Sequence, residues 1–290
     1  FKKKSDFTND MFKNTSGQAV FEKTLLQIYK KISAFTVRER KESGIINLPK
    51  KVYHNIITDW EENQLNMYNR VIEELQLVVI KNNTPILDDS SDILKRLLRL
   101  VQITSNPHLV DHDYTCTPGK LPWLKMILEE IIARNEKCII WSTFTDNVNW
   151  LANEFSCYAA KRIHGKMNME QRNKSVEEFI NNDKVLVLVA SPGAAKEGLT
   201  LTVANNVIFF DRTFSLDDYL QSQDRIHRIS QTKECHVYNL FMKESIDEWI
   251  EILLQSKSLA AQLAQGDISK QFYDAHMSYG YSEILKKILK

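Results

Sequence analysis

Val185-Leu186-Val187-Leu188-Val189 is apolar at every position and leads directly into Ala190-Ser191-Pro192-Gly193-Ala194-Ala195-Lys196-Glu197-Gly198-Leu199-Thr200-Leu201-Thr202. A strand with no polar face is covered on both sides, as strands of a parallel sheet packed between helices are. Small residues just after such a strand let the backbone approach a ligand closely. Open α/β sheets bind their ligands at the carboxyl ends of the strands. The same character extends outward in both directions. Cys138-Ile139-Ile140-Trp141, Val207-Ile208-Phe209-Phe210 and Val237-Tyr238-Asn239-Leu240 read as three more strands. Between them lie helix-spaced apolar sets: Leu121, Leu124, Ile127, Leu128 and Ile131; Val148, Leu151 and Phe155; and Val176, Phe179 and Ile180 behind a capping Asn168. Strands alternating with helices predict an α/β fold, a parallel sheet with helices on both faces.

Before residue 118 the pattern is mainly helical. Leu65, Tyr68, Ile72 and Leu75 fall at helix spacing, a second helix spans about 93–103 before Asn106-Pro107, and Val52–Ile57 reads as a strand entered after a proline. The polar loop Asp111–Gly119 marks the main boundary. After 245 the chain turns helical again, with Gly266 as a break. The chain has 290 residues, 43% hydrophobic and 26% charged, a composition that excludes disorder as its class. No membrane-length apolar run or signal-peptide pattern is present. Cys116, Cys138, Cys157 and Cys235 form no Cys-x-x-Cys pair, so neither a zinc site nor a disulfide framework is expected, and a reducing setting is, cytoplasmic for a bacterial or phage protein and nuclear for a eukaryotic one. A net charge of +1 gives no overall positive field, so any nucleic-acid contact must come from a local patch. A chain that opens at Phe1 without Met is expected to be a piece of a longer protein.

Gln221-Ser222-Gln223-Asp224-Arg225-Ile226-His227-Arg228-Ile229-Ser230-Gln231 is the sharpest chemical signal. Ser215 with Asp218 predicts a capping box and a helix beginning near Leu216. On a continuous helix Gln221, Arg225 and Arg228 share a face. Two guanidiniums there make an anion-binding surface, because the arginine fork stays charged and grips phosphate bidentately.

The order of strand, small-residue loop, strand ending in Asp211, and this arginine segment resembles the second RecA-like lobe of Swi/Snf-family ATPases in helicase superfamily two. Cys138–Phe144 resembles motif IV, residues 190–202 motif V, and residues 221–231 motif VI. His164-Gly165 with Arg172 and Phe179 resembles the family's Asp-Gly…Arg…Phe block. Phe35-x-x-Arg38-x-Arg40-Lys41, Leu48-Pro49-Lys50 and Gln64-x-x-x-Tyr68 are similar to the stretch joining the two lobes. Leu100-x-Gln102-Ile103-x-x-x-Pro107, Gly119-Lys120-Leu121, and Ser245-Ile246-Asp247-Glu248 with Lys257 resemble further family elements. Motif V departs from the remodeller pattern, Ser230 stands where a glycine is common, and Phe214 replaces a DNA-contacting tryptophan. Bacterial and phage members are the nearest in character.

The resemblance implies four parts: residues 1–59 as the end of a first lobe and the interlobe link, 60–117 as a helical protrusion, 118–260 as the RecA-like lobe, and 261–290 as a helical extension, with a bracing helix after the last strand. It implies an ATP-dependent double-stranded DNA translocase in which Arg225 and Arg228 act as arginine fingers. Gln221, Asp224, Gly198 and Glu197 would serve ATP. Lys120, Ser142, Thr143, His164, Gly165, Lys166, Arg172, Ser191, Pro192, Lys196 and Phe214 would contact the DNA backbone. The sequence holds no Gly-x-x-x-x-Gly-Lys-Ser/Thr loop, so ATP and Mg2+ would be held mainly by a first lobe, and this chain alone would not hydrolyse ATP. Asp247-Glu248 reads as part of a polar helix face and not as a magnesium-binding pair. Two alternatives are an RNA helicase lobe, which usually ends motif VI in Arg where Gln231 stands, and a non-catalytic DNA- or protein-binding module.

Overall fold

The computed structural model describes residues 14–35, 48–81, 90–195 and 199–277. In chain order the elements are α1 (Asn14–Ile32), β1 (Lys51–Thr58), α2 (Glu62–Lys81), α3 (Ser90–Ser105), α4 (Lys120–Ala133), β2 (Cys138–Trp141), α5 (Thr145–Glu154), β3 (Lys161–Ile163), α6 (Met169–Asn181), β4 (Val187–Ala190), β5 (Asn206–Phe209), α7 (Leu216–Gln223), β6 (Cys235–Met242), α8 (Ile246–Ala264) and α9 (Lys270–His276). The chain divides into two units, 44–250 and the joined ends 1–43 with 251–290.

The larger unit is built on a six-stranded sheet in the order β1-β6-β5-β2-β4-β3. Every pairing is parallel. Strands β2, β4 and β5 are buried at every position, as their apolar sequence requires, with Asn206 at the start of β5 the one polar residue. On one face Ile140, Val189 and Ile208 pack under Leu124 and Leu128 of α4 and Val148 and Leu151 of α5. On the other, Ile139, Leu188 and Val207 pack with Phe179 of α6, Tyr219 of α7 and Ile226. Asn168 caps α6 in a complete capping box with Gln171, and Ser215 caps α7 by accepting from the Asp218 N–H.

The structure revises four sequence expectations here. First, β1 lies in the main sheet, hydrogen-bonded in register from Lys51–Cys235 to Thr58–Met242. Residues 51–58 are therefore part of the lobe's own sheet and do not end with a preceding lobe. Second, the two ends of the chain pack as one unit: Phe21, Leu25 and Leu26 of α1 meet Leu263 and Tyr273. The Lys270 ammonium lies 2.6 Å from the Glu22 carboxylate. Gly266 breaks the helix as read, with φ at +74°. Third, β3 carries Lys161 and Arg162 in only three residues, too short and too polar to stand out as a strand.

The fourth revision concerns Lys120 and Asp247. Lys120 is fully buried, its ammonium 2.6 Å from the Asp247 carboxylate and donating to the Phe210 carbonyl at 3.0 Å. Asp247 is buried too, and accepts from the Thr104 hydroxyl at 3.1 Å and the Met242 N–H at 3.0 Å. Lys120 is thus withdrawn from any DNA-facing surface, and Asp247 from a polar one. Just before it, Gly119 leaves no room for a side chain, since a Cβ there would sit 2.1 Å from the Asp59 carbonyl oxygen. Removing one member of a buried ion pair strands the other's charge, at a cost of about 3–5 kcal/mol. Lys120→Met should lower the unfolding free energy by about that amount. The double variant Lys120→Met/Asp247→Leu should recover part of it, as measured by guanidinium unfolding followed by far-UV circular dichroism.

Candidate nucleotide and nucleic-acid site

Because all six strands run parallel, the loops after β2, β3, β4 and β5 leave the same end of the sheet. They bring Ser142-Thr143, His164-Gly165-Lys166, Ser191-Pro192 and Asp211–Phe214 together along that end. Asp211 organises the first of these loops. It is buried, and its carboxylate accepts from the Ser142 hydroxyl at 2.5 Å and the Thr143 N–H at 2.7 Å. Asn147 donates to Asp211 at 3.5 Å and to the Ser105 hydroxyl at 2.7 Å, and accepts from Asn106 at 3.1 Å. Burial pushes the Asp211 carboxyl above its ordinary range, against the opposing bonds from Ser142 and Thr143 and the charge of Lys120. Ser142 is fully buried with its hydroxyl committed to Asp211, so it shapes the loop and does not itself present a surface contact.

His164 is also buried, its Nε2 3.0 Å from the Asn149 side-chain oxygen. Burial first, then the charges of Arg162, Lys166 and Arg172, hold its imidazole below the ordinary range, and Asp146 opposes them. Arg172 donates to the carbonyls of Met167 (3.0 Å) and Gly165 (2.9 Å), so its guanidinium braces the 164–168 loop from behind. Lys166 is well exposed, 3.8 Å from the Asp146 carboxylate. A Cβ at Gly165 would meet nothing within 4 Å, so the glycine leaves the loop tip open. Ser191 is buried, while Pro192 and Phe214 are half-exposed. Lys196, Glu197 and Gly198 lie outside the described residues.

The arginine segment differs from the continuous helix expected. The helix α7 ends at Gln223, with Asp224 as its cap, and both arginines lie in the turns beyond it. Gln221 stays exposed on α7, a different element from the one that carries the arginines. Arg225 is buried and its guanidinium donates to the Leu199 carbonyl at 3.4 Å. Arg228 donates to the Thr200 hydroxyl at 2.8 Å and to the Asp224 carbonyl at 3.1 Å. The Leu201 N–H in turn donates to the Arg225 carbonyl at 2.9 Å. The two guanidiniums are thus pinned to adjacent residues of the post-β4 loop, Arg225 to Leu199 and Arg228 to Thr200. Burial, and then the neighbouring charge of Arg228, push Arg225 below the usual arginine range, with Asp224 opposing. Crowded cations of this kind are relieved by an anion.

Gln231 closes the segment from inside. It is buried, donating to the carbonyls of Thr202 (3.2 Å), Ala204 (2.9 Å) and Ile226 (3.1 Å) and accepting from the Thr232 and Lys233 N–H groups at 3.0 Å each. Ser230 pairs its hydroxyl with that of Thr202 at 2.9 Å. The residue that separates this segment from the RNA-helicase pattern therefore acts by fixing the turn.

Residues 122–230 match the helicase conserved C-terminal domain. The ATP-dependent helicase fft1 of Schizosaccharomyces pombe is 27% identical over 275 residues, covering 78% of this chain and 29% of that protein. The ATP-dependent helicase FUN30 of Saccharomyces cerevisiae is 30% identical over 186 residues, covering 63% of this chain and 16% of that protein. The Sulfolobus solfataricus SWI2/SNF2 ATPase core, solved in complex with dsDNA, superposes with a TM-score of 0.65 at 26% identity, over 95% of this chain and 56% of that one. The chain carries a helicase conserved C-terminal domain and is similar to the Swi2/Snf2 helicase-like ATPases. Its sheet matches the C-terminal lobe of those proteins, and it spans less than a third of the two curated relatives. Among the described residues, no helix is long and apolar enough to cross a membrane.

Sequence reading of this helicase lobe missed the tie between β1 and the arginine turn: Tyr53 and Lys51 both reach Gln223. A lysine and a tyrosine two apart on a strand, ahead of the apolar Ile56-Ile57, were the available signal. The electrostatics of His164 give a direct test. Its folded pKa lies below the 6.5 of a free imidazole, so the unfolded chain takes up the proton first. Stability should be full above pH 6.5 and decline as pH falls through that value. An NMR titration should give His164 a midpoint below 6.5.

Proposed function

We propose that the chain is the second motor lobe of an ATP-dependent double-stranded DNA translocase, with Arg225 and Arg228 completing an ATP site whose phosphate-binding half lies on another RecA-like lobe of the same protein. The observation that carries this reading is the guanidinium pair fixed to Leu199 and Thr200 of the segment that joins β4 to β5. Phosphoryl transfer spreads negative charge over the transferred oxygens, and two fixed cations there stabilise it. Their bonds to the loop and to Asp224 hold the guanidiniums in place before the reaction, so little reorganisation is needed. Mg2+ would be held mainly by the other lobe and would supply positive charge to the phosphates; among the described residues there is no cluster of three or more His, Cys, Asp or Glu that could hold it.

The duplex would lie along the strand-end loops. Thr143, Gly165-Lys166, Pro192 and Phe214 there are open to a phosphate backbone, with His164 and Ser191 buried beneath them, and such contacts position without reading sequence. Binding is then salt-dependent, each neutralised phosphate adding about 0.9 to the slope of log affinity against log salt. The absence of a Gly-x-x-x-x-Gly-Lys-Ser/Thr loop from all 290 residues leaves this chain without a way to cradle the β- and γ-phosphates, so it is inactive by itself.

The test is ATP hydrolysis by the full-length protein with duplex DNA, single-stranded DNA and RNA offered separately. Arg225→Ala and Arg228→Ala should each cut duplex-stimulated turnover by about 10³-fold or more while nucleotide still binds. Stimulation by RNA alone would replace the substrate class. Turnover indifferent to both substitutions would return the lobe to a binding role.

A further inference from the structure

The arginine turn is held from outside as well as from within. Just before β1, the Pro49 carbonyl accepts from the His227 Nε2–H at 2.8 Å. Two residues on, the Lys51 ammonium donates to the Gln223 side-chain oxygen at 3.2 Å and lies 3.5 Å from the Asp224 carboxylate. The Tyr53 hydroxyl donates to that same Gln223 oxygen at 2.9 Å. Positions 223, 224 and 227 bracket Arg225 and directly precede Arg228. Asp224 joins both sides of the device, its carboxylate facing Lys51 and its carbonyl accepting from Arg228.

We propose that Lys51 and Tyr53 are positioning residues for Arg225 and Arg228, so that the segment 49–53 sets the alignment of the guanidinium pair and with it the rate of turnover. The proposal rests on the reading of those arginines as groups that reach ATP. Its chemical core is the glutamine. Gln223 is fully buried, and one oxygen receives both donors while its Nε2 has no hydrogen-bond partner among the described residues. A turned amide would aim an NH2 at the Lys51 ammonium, which cannot accept. Lys51 and Tyr53 therefore fix the orientation of Gln223 and, through it, the last turn of α7 from which the arginine turn springs. The strand does not need these bonds for its own sake, since β1 is already paired with β6 along its whole length. A displacement of the segment would reach the arginines through Lys51, Asp224 and Arg228 in sequence.

The experiment uses the full-length protein and duplex-stimulated ATP hydrolysis, comparing Lys51→Met/Tyr53→Phe, Lys51→Arg and Arg225→Ala with the parent. A misplacement of about 1 Å can cost roughly 10²-fold. The double variant should lose about tenfold or more in kcat, with KM for ATP and duplex affinity within about twofold of the parent. Lys51→Arg should retain most of kcat, and the guanidinium unfolding midpoint should stay in place throughout. An unchanged kcat in the double variant, with Arg225→Ala inactive, would overturn the proposal and leave the proposed function standing. A loss of kcat that tracks a lowered unfolding midpoint, and that Lys51→Arg shares, would also overturn it, in favour of a structural role. A fully active Arg225→Ala would remove the underlying reading itself.

Discussion

Burying Lys120 and Asp247 together is the constraint on which the lobe depends. Each charge is costly to take out of water, and their contact at 2.6 Å offsets that cost only because the remaining hydrogen-bonding capacity is filled. The partners come from four places: Thr104 from the end of α3, the Phe210 carbonyl after β5, the Met242 N–H at the end of β6, and the first turn of α8. One ion pair therefore fixes the helical region ahead of the sheet, two strand ends and the departing helix in one arrangement. The close approach of Gly119 to Asp59 follows from it, because the backbone must come in tightly to deliver Lys120 to that depth. Asp247 also sits where an acidic side chain is favoured by the α8 dipole, which adds to the pair's stability.

The same arrangement positions the chemistry. Phe210 precedes Asp211, and Asp211 in turn holds the loop after β2 through Ser142 and Thr143. Asn147 ties that carboxylate to Ser105 and Asn106, so the helical region and the strand-end loops share one buried polar network. The arginine turn is stitched to the post-β4 loop by Leu201, Thr200 and Gln231. Neither half of the site is a free loop. Each is a short connection whose polar groups are spent on neighbours, as a preorganised site requires.

What the sequence made legible divides along physical lines. The strands β2, β4 and β5 are buried on both faces, so their composition alone announces them, and Asn168 and Ser215 cap helices through local chemistry that needs only three residues. The arginines were visible as an anion-binding pair by residue type. Long-range partnerships were not legible: Lys120 reads as a surface lysine until Asp247, 127 residues on in the chain, is seen to receive it. Ser142 reads as a surface hydroxyl until Asp211 claims it. Helical spacing placed Gln221, Arg225 and Arg228 on one face, but the cap at Asp224 ends the helix before the arginines, and turn geometry decides where they point. The strand β1 is legible in Val52–Ile57, but its pairing with β6 is not, because parallel pairing leaves no trace in a single strand's own residues.

That pairing has a consequence for where the lobe can be cut. The strand β6 is buried at all but one of its positions and owes one of its two hydrogen-bonded edges to β1. A chain begun at residue 118, where the helical region gives way to the alternating pattern, would leave that edge open: a row of unpaired amides and carbonyls flanked by Val237, Leu240 and Phe241. Such an edge recruits another strand wherever it finds one. The smallest well-behaved version of this lobe therefore begins before Lys51. The strand that looks like the tail of something else covers the buried β6 and puts a more polar strand, with Lys51, His54 and Asn55, at the edge of the sheet.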